Sequence, residues 1–158
     1  MGTQSNYRSE GGFSQYLYKH GDIIRVGKLE VKAIYKAGTK SYTESLPLYS
    51  NTSDMYFGLK KDKDTGRTYI DQLRFYKDRK AYMDFDWGHE HIVKEGGKVA
   101  KRYPAGVVHV QCFKIVDGHP VRDCDKVRLL NNAEIRRYGV FLKKAYPNIR
   151  FRPPRRKG

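Results

Sequence analysis

Short runs in which apolar and polar residues alternate dominate most of the chain, and a two-residue period is the signature of strands with one buried face. "DIIRVGKLEVKAIYKAG" (22 to 38) alternates on either side of Gly27 and predicts one or two strands. "TKSYTESLPLYSNTSD" (39 to 54) is turn-rich, is broken by Pro47, and reads as a loop. "MYFGLKKD" and "TYIDQLRFYKDRKAYMDFDW" hold further strand-like runs; "KDTG" (63 to 66) is a turn, and "KDRK" (77 to 80) joins two runs as a hairpin would. "GGKVAKRYPAG" reads as a loop. "VVHVQCFKIV" (107 to 116), apolar on both faces, has the pattern of a central strand that ends at "DGHP" (117 to 120).

The period changes near the C-terminus. In "NNAEIRRYGVFLKKAYP" the residues Ile135, Tyr138, Leu142 and Tyr146 recur at helical spacing, Asn131 and Glu134 form a capping-box start, and Pro147 stops the run. Arg136, Arg137, Lys143 and Lys144 fall off that stripe, so the helix can pack and still present cations. The expected architecture is α+β: a single domain with an antiparallel, meander-like sheet and a C-terminal amphipathic helix. Residues 1–15 form a flexible lead-in, 16–147 the domain and 148–158 a basic tail.

Composition supports a folded domain. With 158 residues, 39% hydrophobic and 13% aromatic, the chain can build a core and is no disordered polyelectrolyte. No apolar run approaches the roughly 18 to 20 residues of a membrane span, and residues 1 to 12 lack the features of a signal peptide. A cytoplasmic location, or delivery into a target cell's cytoplasm, is expected, without a membrane partner. Cys112 and Cys124 fit neither a zinc ribbon nor a redox pair and read as ordinary thiols.

Charge changes the picture more. The chain carries 32 Lys and Arg against 17 Asp and Glu, a net +15, and residues 126 to 158 hold eleven of those cations against Glu134 alone. So uneven a balance favours nucleic acid as partner over an anionic membrane or an acidic protein. Arg136, Arg137, Lys143, Lys144, Arg150, Arg152, Arg155, Arg156 and Lys157 are the expected phosphate contacts.

Candidate chemistry gathers in "MDFDWGHEHIV" (83 to 93) and "PAGVVHVQ" (104 to 111). With period two, Met83, Phe85 and Trp87 share one strand face, while Tyr82, Asp84 and Asp86 share the other, away from the core. If the strand runs straight past Gly88, His89 and His91 join the Met83 side; a bulge at Gly88 brings them to the acids. Three readings stand for His89, His91 and His109. They are metal ligands, although only 17 residues separate His91 from His109, unlike the cupin spacing that "HEHIVKE" echoes. They are metal-free acid and base groups acting on a phosphodiester, assisted by cations such as Arg74, Lys77, Arg79, Lys101 or Arg102. Or they are structural. Neither a bound metal nor another cofactor is expected. No nucleophile elbow, phosphate loop or dinucleotide fingerprint occurs, which leaves serine hydrolase, nucleotide hydrolase and dehydrogenase readings without support.

The run "QLRFYKDRKAYMDFDWGHEH", followed by "GVVHVQ", resembles a pattern in carboxy-terminal domains of phage-encoded and bacterial polymorphic-toxin proteins. Its positions are Arg74, Tyr76, Asp84, Asp86, Trp87, His89 and His109, about 40 residues in all, with "KDRK" in place of the usual glycine turn and "HVQ" in place of a second histidine pair. The resemblance implies a small effector nuclease of the barnase-like α+β type.

Two functions follow. In the first, a ribonuclease-like toxin cleaves RNA without metal, using His89, His91, His109, Asp84, Asp86 and Arg74, and is held in check by an acidic inhibitor protein. In the second, a non-enzymatic phage or mobile-element protein occupies RNA, DNA or a ribonucleoprotein through its basic arm, and the histidines are scaffold.

Overall fold

The computed structural model describes residues 18–36, 46–51 and 53–154. Nine strands and one helix lie among them: β1 (Tyr18–Val26), β2 (Leu29–Lys36), β3 (Met55–Lys61), β4 (Thr68–Lys77), β5 (Lys80–Asp86), β6 (His91–Glu95), β7 (Lys98–Tyr103), β8 (His109–Val116), β9 (His119–Leu129) and α1 (Asn132–Ala145). Seven strands make one sheet in the order β1-β2-β3-β4-β5-β8-β9, and β6 with β7 forms a separate hairpin. The sheet is antiparallel except where β3 runs parallel to β2.

Turn chemistry sets several of these joints. Asp78 and Arg79 both take positive φ, 51° and 65°, in the β4–β5 hairpin, and Asp117 with Gly118 does the same between β8 and β9 at 50° and 78°. Such pairs match the right-handed twist of the strands they join, and a non-glycine residue there is held by the flanking ladder.

The helix covers one face of the sheet. Phe141 packs against Phe57 with ring centroids 5.0 Å apart, and Tyr138 meets Phe75 and Phe85 at 5.3 and 5.7 Å. These rings join Leu73, Trp87, Val108, Val110 and Leu142 in the main core. Phe141, outside the stripe read from the sequence, is among the buried helix residues, together with Gly139 and Leu142. Residues of opposite parity on the same strands, Tyr56, Gln72, Arg74, Asp84, Asp86, His109 and Gln111, point to the second face, and all are buried.

That second face corrects one expectation. Asp84 and Asp86 do stand opposite Phe85 and Trp87, but they are buried: Leu46 lies over this face beside Tyr56, Tyr76 and Ala81, and Tyr103 of the hairpin closes it further along. "GGKVAKRYPAG" is not a loop throughout, because Lys98–Tyr103 is β7, paired with β6 around Gly96 and Gly97, both at positive φ. β9, which the alternation did not reveal, is the edge strand beside β8. The lead-in, part of the 39–54 loop and the end of the tail fall outside the described residues.

Candidate functional site

β5 and β8 lie side by side in register, Asp86 opposite His109 and Asp84 opposite Gln111. β4 completes the row, with Gln72 opposite Asp86 and Arg74 opposite Asp84. Strand pleating therefore places two carboxylates, an imidazole, a guanidinium and two amides on one face within three adjacent strands.

Beyond Asp86 the chain turns at Gly88, and the turn explains the glycine. A Cβ there would lie 2.6 Å from the Asp71 Cβ, closer than packed atoms tolerate. The turn brings His89 back over the second face, its Nδ1 3.4 Å from Asp86 Oδ1. β6 then carries His91 over His109, ring centroids 5.2 Å apart, and His89 meets His109 edge-on at 5.8 Å. One nitrogen from each of the three imidazoles lies within 4.8 Å of the others. Acids and histidines thus converge, as a departure from the strand at Gly88 required.

The three rings have different environments. His109 is completely buried, its ring nitrogens have no well-formed hydrogen bond among the described residues, and burial, followed by the His91 and His89 charges, pushes its pKa down to about 4. It is a neutral aromatic ring at physiological pH, stacked between His91 and Tyr103. His91, half-buried, is also lowered, first by burial and then by His89. His89 is 56% exposed.

A relay of hydrogen bonds fixes His91. Arg74 grips Asp84 with Nε and Nη2 donating at 2.7 and 2.9 Å, and its Nη1 donates to the Leu46 carbonyl. Arg122 of β9 donates to Asp84 Oδ2 at 3.2 Å and to Gln111 Oε1. That contact orients the amide: with its oxygen on Arg122, Gln111 turns its Nε2 to His91 Nδ1, 3.1 Å away. His91 Nδ1 must then accept, which leaves the ring proton on Nε2. Asp86 has the opposite effect on His89, because its carboxylate favours a proton on Nδ1 and leaves the lone pair on Nε2.

A further carboxylate enters from β4. The β3–β4 ladder slips between Gly58 and Leu59, which pair with Gln72 and Ile70, so Asp71 is the extra residue of a bulge. Asp71 is 8% exposed, its Oδ1 lacks a partner among the described residues, and burial followed by the Asp86 charge raises its pKa to about 7. Burial, first of all, raises Asp86 as well. Asp71, Tyr69, Gly88 and His89 line an open groove of about 430 Å³ whose other wall is Lys60, Lys61, Asp62, Lys63 and Asp64.

His89, His91, His109 and Asp86 therefore form one cluster. Arg74 and Asp84 lie behind it, 1% and 0% exposed, as a buried ion pair that can orient but not touch a substrate. Lys77 and Arg79 flank the β4–β5 turn, roughly 20 Å along the strands from Asp86. Arg136, Arg137 and Lys143 belong to the helix, on the opposite face of the sheet; Arg137 and Lys143 lie over the Tyr138 and Phe151 rings. Lys144 donates to the Arg25 carbonyl, and Arg152 ties the chain end to the Leu130 carbonyl. Among the described residues of the basic set, Arg150 alone reaches the neighbourhood of the histidines, in a cavity beside Gly88. Arg155, Arg156 and Lys157 lie outside the described residues.

Sequence reasoning missed Asp71, Gln111, Arg122 and the lysines of the groove. Gln111, two residues after His109, was within reach of the period-two argument; Arg122 depended on a strand the pattern does not show. The three imidazoles could also hold a transition metal, with Asp86 orienting His89 behind it. The Gln111 contact opposes this, since a neutral His91 with its proton on Nε2 offers no lone pair from that nitrogen. Comparison with family models, curated proteins and solved structures finds no match to this chain. The likeness to toxin-type nuclease domains accordingly rests on the motif residues alone.

Proposed function

We propose that the protein is a metal-independent ribonuclease whose base is His89. One observation carries this reading: His89 faces Asp86 through Nδ1 and stands exposed in a groove whose wall holds Lys60, Lys61 and Lys63 together with Asp62 and Asp64. An Asp–His pair of this kind holds the ring in the tautomer that takes a proton on Nε2 and stabilises the imidazolium that results. The three lysines outnumber the two aspartates of that wall and attract a polyanion to that nitrogen.

In this metal-free mechanism the ribose 2′-hydroxyl is the nucleophile, a group that RNA has and DNA lacks. His89 removes the 2′-hydroxyl proton, the 2′ oxygen bonds to phosphorus, and the bond to the 5′ oxygen breaks, that oxygen taking a proton from an ammonium group of the groove. On this reading the Nε2–H of His91, the neighbouring imidazole, donates to a phosphoryl oxygen as charge builds there. His109 supports both rings.

Incubation of the folded protein with labelled RNA in excess chelator tests the proposal. Fragments ending in 2′,3′-cyclic phosphate are expected, with DNA left intact. His89→Ala should lower the rate about 10²- to 10⁴-fold. Intact RNA, or cleavage that a chelator stops and zinc restores, would overturn the metal-free mechanism. Binding of RNA that survives His89→Ala, with no cleavage by the parent, is the outcome expected of the non-enzymatic alternative.

A further inference from the structure

Three imidazoles meet where the β5–β6 turn and the β6–β7 hairpin fold over β8. His89, His91 and His109 each bring one ring nitrogen to within 4.8 Å of the others. Three atoms so spaced share a point no more than about 2.8 Å from each, so a closure of less than about 1 Å reaches the zinc–nitrogen distance of about 2.0–2.1 Å.

His109 is the decisive ring. It is completely buried, and its nitrogens have no well-formed hydrogen bond among the described residues. A buried nitrogen in that condition is costly, and an ion that takes its lone pair recovers the cost. Behind His89 stands Asp86, whose Oδ1 accepts from the Gly88 amide at 3.2 Å and faces His89 Nδ1 at 3.4 Å. A carboxylate behind a ligating imidazole orients the ring and raises its basicity. Three imidazoles without a thiolate suit zinc, cobalt, nickel or copper, whereas magnesium and calcium seek oxygen ligands.

We propose that His89, His91 and His109 form a site for a divalent transition ion of the zinc class, and that the bound ion silences the ribonuclease. The inference rests on the ribonuclease reading for its consequence and on the three rings alone for the site. With Nδ1 of His89 turned to Asp86, its Nε2 lone pair either binds the ion or takes the 2′-hydroxyl proton, not both. The rings of His89 and His91 cover His109, so the ion enters as the exposed His89 swings aside, and the three rings then close on it.

Gln111 sets the threshold for entry. While its Nε2 donates to His91 Nδ1, the ring proton stays on His91 Nε2 and keeps an ion off that nitrogen. Half a turn of the amide presents Oε1 to the ring; the proton moves to Nδ1, and the Nε2 lone pair is freed with no net change in protons. Arg122 then gives up its bond to Gln111 Oε1 but keeps Asp84 Oδ2 at 3.2 Å, so its charge stays paired. The amide therefore weakens the site without closing it, and the ion binds reversibly.

Titration of the intact, untagged protein with zinc chloride against a metal indicator tests the site without requiring cleavage. One ion per chain is expected, cobalt chloride should compete for it, and magnesium chloride should not. His91→Ala and His109→Phe should each weaken zinc binding by more than the roughly tenfold that an outer-shell partner contributes. Gln111→Glu, whose carboxylate accepts from Arg122 and from a His91 Nδ1–H together, should tighten it about tenfold, a gain that misfolding cannot mimic. Zinc should stop RNA cleavage over the same concentrations that fill the site, and chelator should restore it. No zinc uptake, uptake that both histidine variants leave unchanged, or cleavage stimulated by zinc would overturn the inference. A zinc-binding protein that leaves RNA intact in chelator would retain the site and remove the ribonuclease; cleavage in chelator that saturating zinc leaves unchanged would do the reverse.

Discussion

Arg74 shows how far a residue's role depends on the cover above it. On the strand pattern it is a cation beside two acids, equally suited to chemistry or structure; in the fold it is buried, bonded twice to Asp84 and once to the Leu46 carbonyl. Replacing one member of such a pair strands the other charge, at a cost of about 3 to 5 kcal/mol, and Arg122 on Asp84 softens the loss toward the lower figure. Arg74→Met should cost about 3 kcal/mol of stability, read as a lower midpoint of chemical denaturation, and on the ribonuclease proposal should leave RNA binding by the folded fraction intact. A variant as stable as the parent would contradict the ion-pair role. No sequence argument could have separated these outcomes, because Leu46 and its neighbours reach Arg74 from 28 residues away.

At the scale of elements, legibility followed burial. The helix was readable because it packs one face and is capped by residues that have few other uses: Asn131 accepts from the Glu134 amide at 2.8 Å, and Glu134 Oε1 accepts from the Asn131 amide at 2.9 Å. Asn131→Ala should cost about 1 kcal/mol, read as a fall in melting temperature, with nucleotide binding on the far face unchanged. Alternation marked β3 to β5 and the stretch that proves to hold both β1 and β2, where one or two strands were expected, while β8 showed itself as an apolar run. β7 was not, since five of its six residues are exposed and only Tyr103 is buried, so neither face imposes an apolar pattern. β9 is a sheet edge, where charged residues discourage pairing with another chain, and "VRDCDKVR" accordingly carries no strand signal. The hairpin that delivers His91 and the edge that delivers Arg122 are therefore the parts of the site that the sequence hides.

Across the whole molecule, the sheet separates an apolar face sealed by the helix from a polar face that buries acids and an imidazole without full compensation, and this arrangement fixes a pH response. Asp71 keeps its proton in the folded state up to about pH 7, against an ordinary value of 3.8, whereas His109 refuses one down to about pH 4, against 6.5. Each pH unit over which one state holds a proton that the other lacks is worth about 1.4 kcal/mol. As pH rises from about 4 to 7 the unfolded chain sheds the Asp71 proton while the folded chain retains it, so this contribution to stability declines, and Asp86 adds to the decline. As pH falls from 6.5 to 4 the unfolded chain protonates His109 while the folded chain does not, so stability declines in that direction too. The two slopes oppose each other between pH 4 and 6.5, and only the carboxyl slope remains just above. Thermal melts at half-unit pH steps should show the parent losing stability from pH 6.5 to 7.5. Asp71→Asn should flatten that loss and be more stable than the parent at pH 8, by up to a few kcal/mol. His109→Phe, which keeps an aromatic ring in the stack, should gain stability on acidification from 6.5 to 4, where the parent is nearly level. Identical pH profiles for the parent and both variants would mean that neither group carries the burial penalty on which this account of the polar face depends.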